Sequence, residues 1–199
     1  MTKSELRRTY LARQRSLSQG ERNAKSVQIT ERFFRDVDLS QVKVLHCFLS
    51  IDKFNEVKTD LIFSRLWQEH PGIQTFVPRV NFSAGQIENL RFDPETVLVE
   101  NAWNIHEPEH DERVAPENID LVIVPLLCFD ERGYRVGFGK GFYDKFLAKC
   151  RDDCRKIGLS YFPPVDRIED PGVHDVRLNV CVTPDHAFEM SQNLGEPEL

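Results

Sequence analysis

Apolar and polar positions change their spacing several times along the chain, and the changes predict strands that alternate with helices. The clearest strand covers residues 120–125, where an apolar run without alternation is typical of a strand buried on both faces. Further strands are predicted at 43–49, 75–80, 86–92, 155–160 and 179–182, with helices at 60–69 and 141–151. The alternation predicts an α/β fold of three α/β/α layers around a mixed, mostly parallel sheet.

Two helices are predicted before the first strand, within residues 2–37. Ser18 and Glu21 have the spacing of a capping box, in which each side chain pairs with the other residue's backbone N–H. The helix that begins there is expected to bury four apolar residues, Ala24, Val27, Phe34 and Val37. Residues 1–8 carry few large apolar groups, which predicts that their removal leaves a folded core.

The length of 199 residues favours one domain. We expect that domain to cover residues 1–190, with the helices at 2–37, an α/β core at 42–185, and a flexible tail at 191–199. The sequence gives no sign of an internal repeat, and we expect a monomer.

The charge and the cysteines limit the possible partners and the compartment. The formal net charge of −6 is spread along the chain, which argues against the basic face that nucleic-acid binding requires. No apolar stretch approaches the roughly 20 residues needed to cross a bilayer, and the N-terminus lacks the apolar run of a signal peptide. The five cysteines include no CxxC pair, which favours reduced thiols in the cytoplasm.

The most informative segment is the glycine-rich stretch from Gly133 to Asp144. Three closely spaced glycines, at 137, 139 and 141, allow several backbone N–H groups to converge on one anion. Lys140 and Arg135 add full positive charges, and a helix is expected to begin directly after the loop. The segment therefore indicates a phosphate site, although a glycine-rich turn beside buried aromatic side chains would have the same composition.

Two familiar phosphate motifs do not fit this loop. A P-loop requires a glycine at position 134 and a serine or threonine after the lysine, where the chain has Tyr134 and Gly141. A dinucleotide-binding fingerprint requires a glycine where the chain has Phe142. The loop is therefore neither of these two motifs.

Residues 106–110 match the zinc-protease pattern His-Glu-x-x-His. That pattern binds zinc because a helix brings both histidines to one face. Pro108 lies in its middle, where it would cost a helix about 3 kcal/mol. We therefore expect a loop without a zinc ion.

The segment Gly-Tyr-Arg-Val-Gly-Phe-Gly-Lys-Gly-Phe-Tyr-Asp at 133–144 resembles the signature of the 5-formyltetrahydrofolate cyclo-ligase family. The preceding residues 125–130 are similar to the family's Pro-Gly-Leu-Ala-Phe-Asp and differ at the second and fourth positions. Weaker similarities follow the family's order at residues 3–7, 55–59, 105–108 and 174–175. The resemblance implies Mg²⁺·ATP-dependent closure of 5-formyltetrahydrofolate to 5,10-methenyltetrahydrofolate, through a phosphorylated formyl group.

The resemblance also assigns roles to individual residues. Lys140 and Arg135 would stabilise the transferring phosphoryl group, and Asp144 and Asp175 would hold Mg²⁺. The residues that would bind ATP are Lys3, Ser4, Glu5, Leu6, Arg7, Arg135, Val136, Gly137, Phe138, Gly139, Lys140, Gly141, Phe142 and Tyr143. The residues that would bind the folate are Ile51, Glu56, Phe138, Gly139, Lys140, Gly141 and Phe142.

Without the resemblance, most of these residues have ordinary structural explanations. Lys3 and Arg7 would form a solvated helix face, Glu56 would lie in a surface loop, and Asp175 would form a turn. Two other functions also remain open at this point. One is a small-molecule kinase or a different ATP-dependent ligase with the same phosphate loop, and the other is a folate-binding protein without turnover.

Overall fold

The computed structural model of the protein describes residues 1–81, 83–101 and 105–190. Its helices are α1 Lys3–Ser16, α2 Gln19–Asp36, α3 Asp60–Glu69 and α4 Phe142–Leu147. Its strands are β1 Val44–Cys47, β2 Gln74–Asn81, β3 Gln86–Arg91, β4 Leu98–Glu100, β5 His106–Pro108, β6 Arg113–Val114, β7 Leu121–Pro125, β8 Cys128–Phe129, β9 Arg135–Val136, β10 Arg155–Leu159, β11 Val180–Val182 and β12 Ala187–Glu189. The predicted tail at 191–199 lies outside the described residues.

Eight of these strands form one sheet in the order β12-β11-β10-β7-β1-β2-β3-β6. The five strands from β11 to β2 run parallel, and β12, β3 and β6 pair antiparallel at the two sides. The mixed, mostly parallel sheet predicted from the sequence is therefore confirmed. The carboxyl ends of β1, β7 and β10 meet at one edge, which is where open α/β sheets bind ligands.

The apolar run of β7 is buried because helices or loops cover both faces of the sheet. Leu121 and Ile123 pack into the larger core beneath α1, α2 and α3, whereas Val122 and Val124 pack into the smaller core beside α4. All four side chains are fully buried, as alternating side chains of a central strand should be. The three layers are unequal, since α4 is the one helix among the described residues on its face.

The capping box that begins α2 is present, with Ser18 accepting from the Glu21 N–H at 3.2 Å. Of the four residues that this helix was expected to bury, Val37 is buried, but Ala24 and Val27 are exposed and Phe34 is only half-buried. The helix instead buries Ser26, Ile29, Thr30 and Phe33. Two polar residues reach the core because Thr30 bonds the Ser26 carbonyl and Ser26 meets the Tyr161 hydroxyl.

Helix α4 is shorter than predicted. It begins at Phe142 and ends at Leu147, and turns occupy the remaining residues to Cys154. Six residues, or about 1.7 turns, give only a weak helix dipole, so phosphate binding would depend on the loop backbone and its charged side chains. The predicted helix at 60–69 is confirmed with its predicted bounds.

The zinc-protease pattern does not lie on a helix. Its first three residues form strand β5, which pairs with β4. Within the part of the chain that the structure describes, no group of three or more histidine, cysteine or carboxylate side chains is arranged to hold a metal ion. No helix of that part is long and apolar enough to cross a membrane.

Candidate active site

The glycine loop leaves β7 through a tight ribbon formed by β8 and β9, which is built around Asp130. The Asp130 side chain is fully buried and accepts from the backbone N–H groups of Arg132, Tyr134 and Ile168. It also pairs with the Arg132 guanidinium at 2.7 Å. Sequence reasoning gave Asp130 no role, although aspartate followed by glycine three residues later is a common turn signal.

Glycine is required at position 133 of this ribbon. Gly133 has φ of +86°, and a Cβ there would lie 2.7 Å from the Leu178 carbonyl oxygen. Both the backbone angle and the contact exclude a side chain. The ribbon therefore delivers Arg135 and the loop after it in a fixed direction.

The glycine loop is open on one side and supported by α1 on the other. A Cβ at Gly137 or Gly141 would meet open space, whereas one at Gly139 would lie 3.1 Å from Arg7 Nε. Arg7 donates from that Nε to the Gly137 carbonyl at 2.9 Å. Lys140 is exposed and forms no ion pair within the described ranges. The open side of the loop thus presents backbone and one unpaired cation.

Arg135 is nearly buried and holds the loop to two other segments. Its Nη2 donates to Asp144 Oδ1 at 2.8 Å, and its Nη1 bonds the Val176 carbonyl. The Val176 N–H in turn donates to the same Asp144 oxygen at 3.2 Å. The predicted phosphate-binding arginine and one predicted metal ligand are therefore in direct contact, beside the second predicted ligand, Asp175.

Each of the two predicted metal ligands uses one carboxylate oxygen for protein contacts and keeps the other unbonded. Asp144 accepts both of its hydrogen bonds through Oδ1. Asp175 accepts from Lys3 Nζ and from the Gly172 N–H through Oδ2. Neither Asp144 Oδ2 nor Asp175 Oδ1 has a hydrogen-bond partner among the described residues. Two such oxygens fit Mg²⁺, which binds one or two carboxylates together with substrate phosphates and water.

The other predicted residues of α1 face in different directions. Leu6 is only 2% exposed and packs in the larger core, which argues against the expectation that residues 1–8 can be removed from a folded protein. Glu5 completes a capping box with Thr2, and Ser4 is exposed. The side chains of α1 that reach the loop and its neighbouring segment are those of Lys3 and Arg7.

The predicted folate residues follow the carboxyl end of β1. Glu56 Oε2 accepts from the Ile51 N–H at 2.8 Å, which closes the loop between them. Desolvation by the surrounding protein raises the pKa of the Glu56 carboxyl to about 7. Phe54, which lies between Ile51 and Glu56 in the chain, packs on Phe138 of the glycine loop with ring centroids 5.0 Å apart. The segment therefore adjoins the glycine loop, a contact that the sequence did not predict.

Val136 is less accessible than a ligand-binding role suggests, whereas Tyr143 is half-buried. Val136 is buried in the larger core. The Tyr143 hydroxyl lies 3.3 Å from His46 Nε2, and burial raises the pKa of this phenol well above its usual range. Phe142 at the start of α4 is half-buried. A separate acidic cleft of about 260 Å³, lined by residues of 93–97 and 109–112, shares no residue with this site.

A match to a family model shows which protein family this chain belongs to. The model of the 5-formyltetrahydrofolate cyclo-ligase family matches residues 1–184. The chain belongs to this family. The resemblance inferred from the glycine loop is thereby confirmed.

Similar proteins cover most of this chain. The chain is 31% identical to a 5-formyltetrahydrofolate cyclo-ligase of Escherichia coli over 182 residues, which are 89% of this chain and 97% of the relative. A mouse protein of the same name is 31% identical over 73% of each chain. A solved 5,10-methenyltetrahydrofolate synthetase from Aquifex aeolicus superposes with a TM-score of 0.81 at 29% identity, covering 100% of this chain and 97% of the other. A second synthetase structure, from Mycoplasma pneumoniae, has a TM-score of 0.73 at 26% identity and covers 92% and 99%.

Proposed function

We propose that the protein closes 5-formyltetrahydrofolate to 5,10-methenyltetrahydrofolate and consumes ATP, which becomes ADP and phosphate. Membership of the cyclo-ligase family supports this reaction, as do the names of the Escherichia coli and mouse relatives. The observation that carries the proposal at the level of the site is the open face of the glycine loop. Open space at Gly137 and Gly141 leaves room for phosphates beside the exposed Lys140.

The reaction requires the protein to align ATP and the folate, and it does not require a reactive protein group. The formyl oxygen would attack the γ-phosphorus, and the bond from that phosphorus to ADP would break. N10 would then attack the activated formyl carbon and lose its proton, and phosphate would leave with the former formyl oxygen. No covalent protein nucleophile is needed, so the site contributes orientation and charge neutralisation.

Lys140 and Arg135 supply the positive charge for phosphoryl transfer in this proposal. Lys140 is exposed on the open face, where its ammonium can follow the charge that shifts as the phosphoryl group moves. Arg135 is fixed by Asp144 and the Val176 carbonyl, so it acts as a rigid part of the phosphate cradle. Arg7 and Lys3 add charge from α1, and the loop from Arg135 to Tyr143 surrounds the phosphates.

Asp144 and Asp175 would hold Mg²⁺ in this site. Their unbonded oxygens belong to adjoining segments, because the Val176 N–H, directly after Asp175, donates to Asp144. When bound, Mg²⁺ neutralises charge on the phosphates and helps to orient them. The ion pairs with Lys3 and Arg135 hold the two carboxylates in place for that purpose.

Glu56, Ile51 and the loop residues from Phe138 to Phe142 would bind the folate. The Phe54–Phe138 contact joins the two segments, so the folate and the phosphates would share one continuous surface. Because its pKa is about 7, the Glu56 carboxyl can accept or donate a hydrogen bond near neutral pH. That property suits the polar edge of a pterin, which presents both donors and acceptors.

Release of ADP and phosphate by the purified protein tests the proposal against its two rivals. We expect release only when 5-formyltetrahydrofolate and Mg²⁺·ATP are both present, with one phosphate per folate consumed. A kinase would leave a stable phosphorylated product and release no phosphate. A folate-binding protein would release neither ADP nor phosphate.

A further inference from the structure

A buried histidine lies beneath the start of α4, outside the residues assigned above. His46 is on β1, where Leu45 and Cys47 face the larger core and His46 faces α4. Its side chain is fully buried, and its Nε2 lies 3.3 Å from the Tyr143 hydroxyl. Phe146 packs on the ring with centroids 4.8 Å apart. A polar ring at this depth is costly unless both nitrogens are hydrogen-bonded.

Asn89 supplies the complement for the other ring nitrogen. Among the described residues, His46 Nδ1 and Asn89 Oδ1 are both buried without a hydrogen-bond partner. The Asn89 amide lies close enough to His46 to influence its protonation. Asn89 Nδ2 donates to the Val114 carbonyl at 3.3 Å, which turns the amide oxygen away from that strand. A hydrogen bond from His46 Nδ1 to Asn89 Oδ1 would satisfy both atoms at once.

The bond to Asn89 would determine which atom donates and which accepts in the hydrogen bond between His46 and Tyr143. Burial lowers the pKa of His46 to about 3, so the ring is neutral and carries one donor and one acceptor. If Nδ1 carries the proton and donates it to Asn89, Nε2 is the acceptor. The Tyr143 hydroxyl, like any tyrosine hydroxyl at neutral pH, carries its proton and would then donate to Nε2.

The Tyr143 hydroxyl can affect the active site because the residues on either side of Tyr143 in α4 are assigned to it. Tyr143 lies between Phe142, assigned to the folate, and Asp144, which pairs with Arg135. With only six residues, α4 has little stability of its own, so tertiary anchors must hold its first turn. A hydrogen bond to a strand of the central sheet provides such an anchor.

We propose that His46 is a positioning residue: oriented by Asn89, it accepts the Tyr143 hydroxyl hydrogen bond and thereby fixes the first turn of α4 in the active site. This inference rests on the proposed cyclo-ligase activity. It concerns alignment of bound ligands, so loss of the hydrogen bond lowers kcat more than it raises either KM.

The test is a double-mutant cycle on turnover with His46→Leu and Tyr143→Phe. One hydrogen bond corresponds to a loss of roughly tenfold in kcat for His46→Leu in the wild-type background. In the Tyr143→Phe background the same change should cost less than about twofold, because the hydroxyl is already absent. His46→Gln places an amide oxygen near the position of Nε2 and should recover most of the turnover. Equal losses in both backgrounds would overturn the proposal.

Two further variants separate positioning from general loss of packing. Phe146→Leu removes packing from the His46 ring without touching a hydrogen bond, so it should lower Tm but change kcat by less than about twofold. A Phe146→Leu protein that loses as much turnover as His46→Leu contradicts the proposal. Asn89→Leu removes the group that orients the ring and should also lower kcat, which keeps the test decisive if His46→Leu does not fold. A wild-type protein without turnover overturns the proposed function and this inference together, whereas an active one without coupling overturns only the inference.

Discussion

Glu56→Gln should weaken folate binding and at the same time stabilise the protein at neutral pH. Both effects have the same cause. The Glu56 carboxyl is removed from water in the free protein, and a bound folate would supply hydrogen-bonding partners there. In the free protein, Glu56 Oε2 accepts one hydrogen bond, from the Ile51 N–H at 2.8 Å. Glutamine retains an oxygen for that bond and removes the cost of ionisation.

The magnitude follows from the pKa of Glu56, which desolvation raises from 4.5 to about 7. Since the folded-state pKa is above the unfolded value, the unfolded chain releases this proton first as the pH rises. The carboxyl therefore costs no stability below about pH 4.5, and its cost grows up to pH 7 and is constant above it. At about 1.4 kcal/mol per pKa unit, the full cost is about 3 kcal/mol, or roughly 6–12 °C in Tm.

Thermal unfolding of the wild type and Glu56→Gln between pH 4.5 and pH 8.5 measures this effect. We expect equal Tm values at the acid end and a higher Tm for the variant above pH 7. Glu21→Gln is the matched control, because hydrogen bonds to Ser18 lower the pKa of that exposed capping carboxyl and its replacement should destabilise the protein at neutral pH. In kinetics, Glu56→Gln should raise KM for the folate and leave KM for ATP near normal. A Tm difference that does not change with pH would refute the desolvated position of Glu56.

The remaining predictions concern the phosphate end of the site. Lys140→Ala should lower kcat by roughly 10²–10³-fold, the scale of a lost electrostatic stabiliser, and leave Tm nearly unchanged because the side chain is exposed; Lys140→Arg should recover only part. Arg135→Ala should abolish most turnover and also cost about 2 kcal/mol in urea unfolding, because the hydrogen bonds to Asp144 and the Val176 carbonyl are lost. Mg²⁺ without ATP should change Tm by less than about 1 °C, since only two carboxylates are available, whereas Mg²⁺ with saturating ATP should raise Tm by several degrees. Full turnover by Lys140→Ala, unchanged unfolding of Arg135→Ala, or a large Tm increase with Mg²⁺ alone would each contradict the corresponding assignment.

The sequence predicted those helices and strands that have a clear local pattern of apolar or capping residues. The apolar run of β7 indicated a strand buried on both faces, and the apolar spacing of 60–69 predicted α3 with its bounds. The Ser18–Glu21 spacing predicted the start of α2 because capping is a local interaction. The glycine loop could also be predicted locally, since positive φ angles at Gly139 and Gly141 favour glycine.

Other features depend on contacts between distant segments and could not be predicted. Ser26 is buried because it meets Tyr161, so the buried face of α2 includes polar residues that the apolar pattern passes over. Leu6 lies in a basic helix, and only its packing against the larger core shows that residues 1–8 belong to the fold. His46 appears in the sequence as one polar residue within an apolar strand. Its importance follows from the facing positions of Asn89 and Tyr143, which no spacing along the chain reveals.

The central claim is tested most directly by measuring the absorbance of 5,10-methenyltetrahydrofolate as it forms. The purified protein should produce this absorbance when mixed with 5-formyltetrahydrofolate, ATP and Mg²⁺, and should lose it when any of the three is omitted. The Lys140→Ala protein, measured at the same concentration and with the same Tm, should give the signal at roughly 10²–10³-fold lower rate. No absorbance from a folded wild-type protein that binds Mg²⁺·ATP would contradict the account.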